Sequence, residues 1–233
     1  MTELLEKSTG RRAFLGGIGL ASGGLLLSGC ANSFGGFGMI DAIRRLMLLS
    51  SERAFGRLTA PGGFWDRQIA QVGLGNRLGT RGDVLSNILT SALFKPRLER
   101  EFAGFAVDAT ERAAPLVFDT VRVIGLQNAI DLVRGGPSAA TAFLRGNMGM
   151  TLVEAMVPQL GQAMRVASDP LVGQAISALA GVDIGGVANR VAGNIDNAIW
   201  SEIGREEAAI RANPQGTRDP LIIGVFGAAD RVL

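Results

Sequence analysis

Histidine and tyrosine are absent from all 233 residues, lysine occurs only as Lys7 and Lys95, and the single cysteine is Cys30. Each absence removes a class of chemistry. Without His, neither a Ser-His-Asp nor a Cys-His nucleophile pair can be built, and imidazole ligation of a metal is excluded. One Cys cannot close an intrachain disulfide or hold a metal in a thiolate cluster. No dense basic run occurs, and the formal net charge is only +2. Nucleic-acid binding needs a clustered positive field, so it is excluded as well. Carboxylate, Ser, Thr and Lys chemistries survive. No metal or cofactor motif is present: Gly73-Leu74-Gly75 loosely echoes a dinucleotide fingerprint but lacks the strand that must precede it.

The most informative segment is the N-terminus. Lys7, Arg11 and Arg12 form a charged region, an uncharged stretch runs from Ala13 to Gly29, and small residues precede Cys30 in Leu27-Ser28-Gly29-Cys30. These are the features of an export signal. Five glycines interrupt the stretch, and it falls short of the ~20 residues of a comfortable bilayer span. Leu27-Ser28-Gly29-Cys30 resembles the lipobox of bacterial lipoproteins, which implies acylation (palmitate) at Cys30 and cleavage before it. Arg11-Arg12-Ala13-Phe14-Leu15 resembles the twin-arginine export motif, with Gly10 in place of the usual Ser or Thr. Ala31 follows the Cys in place of the inner-membrane retention Asp. The resemblance to Gram-negative lipoproteins therefore implies the periplasmic face of the outer membrane.

The expected organisation is a signal peptide over residues 1–29, a lipidated Cys and flexible tether over 30–38, and one helical domain over 39–233. Beyond the tether, helix start and stop signals recur and no alternating β-branched runs occur. Gly135-Gly136-Pro137 separates two helices. Thr151 and Glu154 have the spacing of a capping box, and Asp169-Pro170 and Asp219-Pro220 pair an N-cap with Pro at N1. Asp183 precedes a stripe of Ile184, Val187, Val191, Ile195, Ile199 and Ile203 at spacings of three and four. Residues 40–57 and 96–113 read as amphipathic helices, and the Gly-rich 61–82 as a long irregular loop. Leu171 to Val182 reads as a buried core helix, with Gly173, Ser177 and Gly181 as a close-packing ridge. The fold class is all-α: a single-domain bundle of roughly eight to ten short helices.

Two segments carry a family resemblance. They are Gly135-Gly136-Pro137-Ser138-Ala139-Ala140-Thr141-Ala142-Phe143-Leu144-Arg145, and Glu206-Glu207-Ala208-Ala209-Ile210-Arg211-Ala212-Asn213-Pro214 followed by Val225-Phe226-Gly227. With Pro61-Gly62-Gly63-Phe64 ahead of them, they resemble the bacterial lipoprotein family catalogued as domain of unknown function 4197. The resemblance spans roughly residues 39–227 and implies a helical domain with no assigned activity. The chain departs from the family at Val72-Gly73-Leu74-Gly75 and in its loss of aromatic residues before the final motif, where Trp200 remains.

The polar candidates for an anion or partner contact are Thr141, Arg145, Glu207 and Arg211. Thr141 and Arg145 share a helix face near an N-terminus that could hold an anion. Glu207 and Arg211 stand four apart in the order that favours an ion pair. Glu101, Asp108 and Glu111 on one predicted helix could serve acid–base chemistry, although Arg97, Arg100 and Arg112 lie among them as ion-pair partners. The expected function is a non-enzymatic envelope module, anchored in the membrane through Cys30, that binds an envelope protein or a lipid. An acyl chain held inside the bundle is a variant motivated by the mean hydropathy of +0.27. The alternative is a carboxylate-dependent envelope hydrolase.

Overall fold

The long helices are built on apolar residues spaced so that one face of each closes on the others. A computed structural model describes residues 36–72, 91–123, 125, 129–165 and 184–227. Cys30, Arg11, Arg12, the glycines after Val72, Asp169-Pro170, the 171–182 segment and Asp183 lie outside the described residues. Within them the chain forms eight α-helices and no strand: α1 (Gly36–Leu58), α2 (Phe64–Val72), α3 (Lys95–Val123), α4 (Ala129–Arg134), α5 (Ala139–Met148), α6 (Thr151–Arg165), α7 (Ile184–Ala212) and α8 (Pro220–Phe226), with a 3-10 turn at Pro214–Thr217. This is the all-α single-domain bundle that the sequence implies.

Four helices carry the core. α1 packs on α7, α7 on α6, α6 on α3, and α3 back on α1, so the four close into a ring. Ile43, Leu46 and Met47 of α1 are buried there, with Leu98 and Phe102 of α3, Leu152, Met156 and Leu160 of α6, and Ile195, Ile199 and Ile203 of α7. The spacing of three and four residues puts each set on one side of its helix. Each such side chain contributes about 1.5–3 kcal/mol when fully buried. The shorter helices cover the rim, α2 on α3, α4 and α8 on α1, and α5 against α7. No described helix is long and apolar enough to cross a membrane.

The structure corrects several local expectations. α1 begins at Gly36, so the helix reaches back into the segment read as tether. α2 occupies much of the stretch read as irregular. The Pro/Gly signal belongs to a tight turn, closed by the Gly63 N–H donating to the Ala60 carbonyl, with Pro61 and Gly62 (φ +63°) at its centre. The helix then starts, and Trp65 is buried with its ring edge-on to Phe64. α3 continues ten residues beyond its expected stop at Ala113, through Pro115. An interior Pro costs about 3 kcal/mol, and burial of Val117 and Val121 beyond it offsets that cost. Thr151 forms no capping box. Its hydroxyl donates back to the Met148 carbonyl at 2.6 Å, and the Glu154 N–H is taken by Met150. By contrast, Asp219 caps α8 as the sequence implies, accepting from the Leu221 and Ile222 N–H groups at 2.9 and 3.2 Å.

Candidate functional site

Helix α7 turns four carboxylates inward: Asp196, Glu202, Glu206 and Glu207 are all buried. A buried carboxylate is costly unless it is paired and hydrogen-bonded, and each of the four meets an arginine. Arg145 reaches Asp196, Arg57 and Arg205 reach Glu202, Arg57 also reaches Glu206, and Arg211 reaches Glu207.

Glu207 is the most deeply buried, 1% exposed. Its Oε1 accepts from the Ala140 N–H at 3.0 Å and from Arg211 Nε at 2.7 Å. Its Oε2 accepts from the Thr141 N–H at 2.7 Å and from the Thr141 hydroxyl at 2.6 Å. These backbone donors belong to the first turn of α5, whose N–H groups have no partner within the helix. Ser138, the residue in capping position, makes no side-chain cap. A carboxylate from a distant helix therefore caps α5, where the helix dipole also favours a negative charge.

Arg211 performs the opposite task. Its Nη1 donates to the Val133 carbonyl at 3.0 Å and its Nη2 to the Leu132 carbonyl at 2.8 Å, both at the end of α4. Its guanidinium carbon lies 4.8 Å from the centre of the Phe226 ring. One ion pair on α7 thus holds the end of α4 and the start of α5, on either side of the turn containing Gly135, Gly136, Pro137 and Ser138. The two segments that carry the family resemblance meet at this pair.

Of the four residues singled out from sequence, Thr141, Glu207 and Arg211 form this one cluster. Arg145 stands apart from it, one turn further along α5. Its Nη2 donates to Asp196 Oδ2 at 3.0 Å and to Asn197 Oδ1 at 2.6 Å, while Trp200 Nε1 donates to Asp196 Oδ1 at 2.8 Å. Sequence reasoning missed Asp196, Glu202, Glu206, Arg57 and Arg205. The available signal was position: 206 and 207 continue the spacing of Ile195, Ile199 and Ile203, so an acid there faces the core.

A groove of about 500 Å³ runs between α5 and α7, open to solvent. Its polar lining includes Ser138, Arg145, Asn197, Ser201 and Arg205, and the buried Trp200 also borders it. Asp196 and Glu202 do not line it; they anchor the two arginines from behind. Gly204 sets the approach of the two helices: a Cβ there would lie 3.3 Å from Ser138 Cβ and 3.7 Å from Thr141 Cγ2. At Gly193, on the same helix, nothing lies within 4 Å of such a Cβ. Gly204→Val is accordingly expected to cost about 1–3 kcal/mol by overpacking. Gly193→Ala should gain up to ~1 kcal/mol from helix propensity. Urea denaturation followed by circular dichroism checks both.

The candidate carboxylates of α3 are separate from this site. Asp108 and Glu111 are exposed, and Asp108 borders a small cleft with Arg112 and Gln159. Among the described residues, no three of His, Cys, Asp and Glu are grouped so as to hold a metal ion.

Burial pushes the Glu202 carboxyl above its ordinary value of 4.5; Arg57 opposes this and Glu206 adds to it. The folded state then holds that proton more tightly than the unfolded chain. Stability is fully present below the ordinary value and falls as pH rises through the raised one. Glu202→Gln is expected to flatten this part of the stability-versus-pH curve, measured by urea denaturation between pH 4 and pH 8. Asp219 moves the other way. Desolvation acts upward, but the Arg45 hydrogen bond and the Ile222 and Leu221 N–H groups together hold it below 3.8. Its contribution to stability is therefore lost only as pH falls through that lowered value.

A family model described as a protein of unknown function (DUF4197) matches residues 35–227. No curated protein matches the chain. No solved structure matches it either.

Proposed function

The chain belongs to the DUF4197 family, and from that premise we propose that it is a lipid-anchored protein of the periplasmic face of the outer membrane whose helical domain is a non-enzymatic binding module. The observation that carries the anchor is Leu27-Ser28-Gly29-Cys30 at the end of an apolar run behind Arg11 and Arg12. Acyl chains on Cys30 would supply apolar area worth about 0.8 kcal/mol per buried CH₂. α1 begins six residues after that Cys, so the bundle would stand close to the bilayer.

The arrangement of the polar groups supports binding over catalysis. Glu207 accepts four hydrogen bonds from protein groups, which suits a structural carboxylate. A glycan hydrolase needs two carboxylates about 5–10 Å apart across a cleft, and no Asp or Glu is among the described residues lining the α5–α7 groove. The half-exposed Arg145 and Arg205 make that groove the natural contact surface.

The test is mass spectrometry of the full chain expressed in a Gram-negative host and recovered from sorted membranes. The expected product begins at an acylated Cys30 and sediments with the outer membrane, whereas Cys30→Ser should abolish both acylation and cleavage. An unacylated wild-type product would overturn the anchor. Replacing both Arg11 and Arg12 by Lys should block processing if the twin-arginine route is used; unchanged processing assigns the general route.

A further inference from the structure

We propose that the α5–α7 groove takes an extended, acidic peptide segment of a partner protein, with Arg145 and Arg205 each receiving one of its carboxylates. The inference rests on reading the domain as a binding module and names the partner's chemistry. Its basis is charge complementarity. Among the described residues lining the groove, Arg145 and Arg205 are the only charged ones, and their side chains are 45% and 54% exposed. Each meets its buried acid through Nη2, and the Arg145 Nη2 also donates to Asn197 Oδ1, so on both residues Nε and Nη1 remain to donate to a second carboxylate. The two guanidiniums are anchored six residues apart on α7, at Asp196 and Glu202, about 9 Å along the axis. In an extended chain, acidic side chains two or four residues apart project from one face at separations of about 7 and 13 Å, which bracket that interval.

The shape argues for a peptide. A small ligand is usually enclosed over most of its surface, whereas this groove is open to solvent between two helices. Its remaining polar groups, the Ser138 and Ser201 hydroxyls and the Asn197 amide, offer hydrogen bonds to a peptide backbone. A flat bilayer would meet protruding residues first. Among the described residues, the exposed large apolar ones that could enter one, Leu93, Val123, Ile130 and Met150, do not line the groove.

The test is fluorescence anisotropy of the full chain, extracted in detergent, with a labelled peptide Glu-Ser-Glu-Ser-Glu-Ser-Glu and its all-Gln counterpart. The Glu peptide should bind at least about tenfold more tightly than the Gln peptide. Arg205→Gln and Ser201→Glu should each weaken binding at least about fivefold. Both positions are exposed, and circular dichroism would confirm that both variants fold. Arg53→Gln, exposed on α1 away from the groove lining, should leave binding unchanged. Equal affinity for the two peptides would overturn the proposal, as would an equal loss with Arg53→Gln. Displacement of the peptide by phosphatidylglycerol vesicles, with the vesicles binding in an Arg205-dependent way, would assign the groove to lipid and overturn it too. If the peptide fails while Cys30 is acylated, the groove assignment alone falls. If the peptide binds and Cys30 is unmodified, the anchor alone falls.

Discussion

Glu207→Ala is expected to lower the free energy of unfolding by about 3–5 kcal/mol, the range for breaking a buried ion pair from one side. Three losses combine. The Ala140 and Thr141 N–H groups at the start of α5 lose their acceptor, and the Thr141 hydroxyl loses its own. Arg211, 11% exposed, is left as a largely but not fully buried cation without its counter-charge. Glu207→Gln should recover only part of the loss. Its amide retains one acceptor oxygen, but the NH₂ must then face donors that Oε1 or Oε2 now satisfies. Urea denaturation followed at 222 nm gives the magnitude, and an unchanged m-value would show that only stability moved. Hydrogen exchange adds a local readout: the Ala140 and Thr141 amides should exchange much faster in Glu207→Ala. Retained protection of those two amides would mean that Ser138 or water can take over the cap.

That prediction touches the limit of what the sequence discloses. Helical character was legible because it is local. Ile195, Ile199 and Ile203 recur at helical spacing and are buried on α7, and Asp219-Pro220 starts α8 by bonding to its own next residues. The cap of α5 is not local: its acceptor comes from 66 residues downstream of Thr141. Ser138 stands where a local rule places the cap, yet its side chain makes no such bond. The same distinction explains Pro115. As a local signal it stops a helix, but tertiary burial of Val117 and Val121 carries α3 past it. Thr151 and Glu154 matched a capping box by spacing, but the nearby end of α5 offered the hydroxyl a carbonyl instead.

The candidate site was legible in a similar, partial way. Thr141, Arg145, Glu207 and Arg211 could be picked out because two motif segments contain them. Their sorting into a buried pair with Thr141 and a separate groove arginine depends on how α5 crosses α7, which no single segment encodes. A charged residue at a stripe position was the readable clue. In a helix whose apolar face recurs every three or four residues, an acid at 206 or 207 must be buried and must therefore have partners.

Arg211→Met is expected to cost about 3–4 kcal/mol, again from one-sided loss of a buried pair, and Arg211→Lys should recover less than half of it. The reason is geometric. Arg211 donates through Nε to Glu207, through Nη1 to Val133 and through Nη2 to Leu132, three directions fixed in one plane. A lysine ammonium is a compact point charge and cannot reproduce that fork. It keeps the Coulomb attraction to Glu207 but leaves at least one carbonyl at the end of α4 without a donor, and it lacks the planar face that meets Phe226. A double-mutant cycle with Glu207→Gln and Arg211→Met isolates the direct coupling. If the pair acts as one unit, the double variant should be less destabilised than the sum of the singles by about 1–3 kcal/mol. Simple additivity would instead make Glu207 the cap of α5 and Arg211 the cap of α4 independently, with their contact incidental. Arg211→Met should also leave acidic-peptide affinity in the α5–α7 groove unchanged wherever the protein remains folded, because Arg211 is not among the residues that line it.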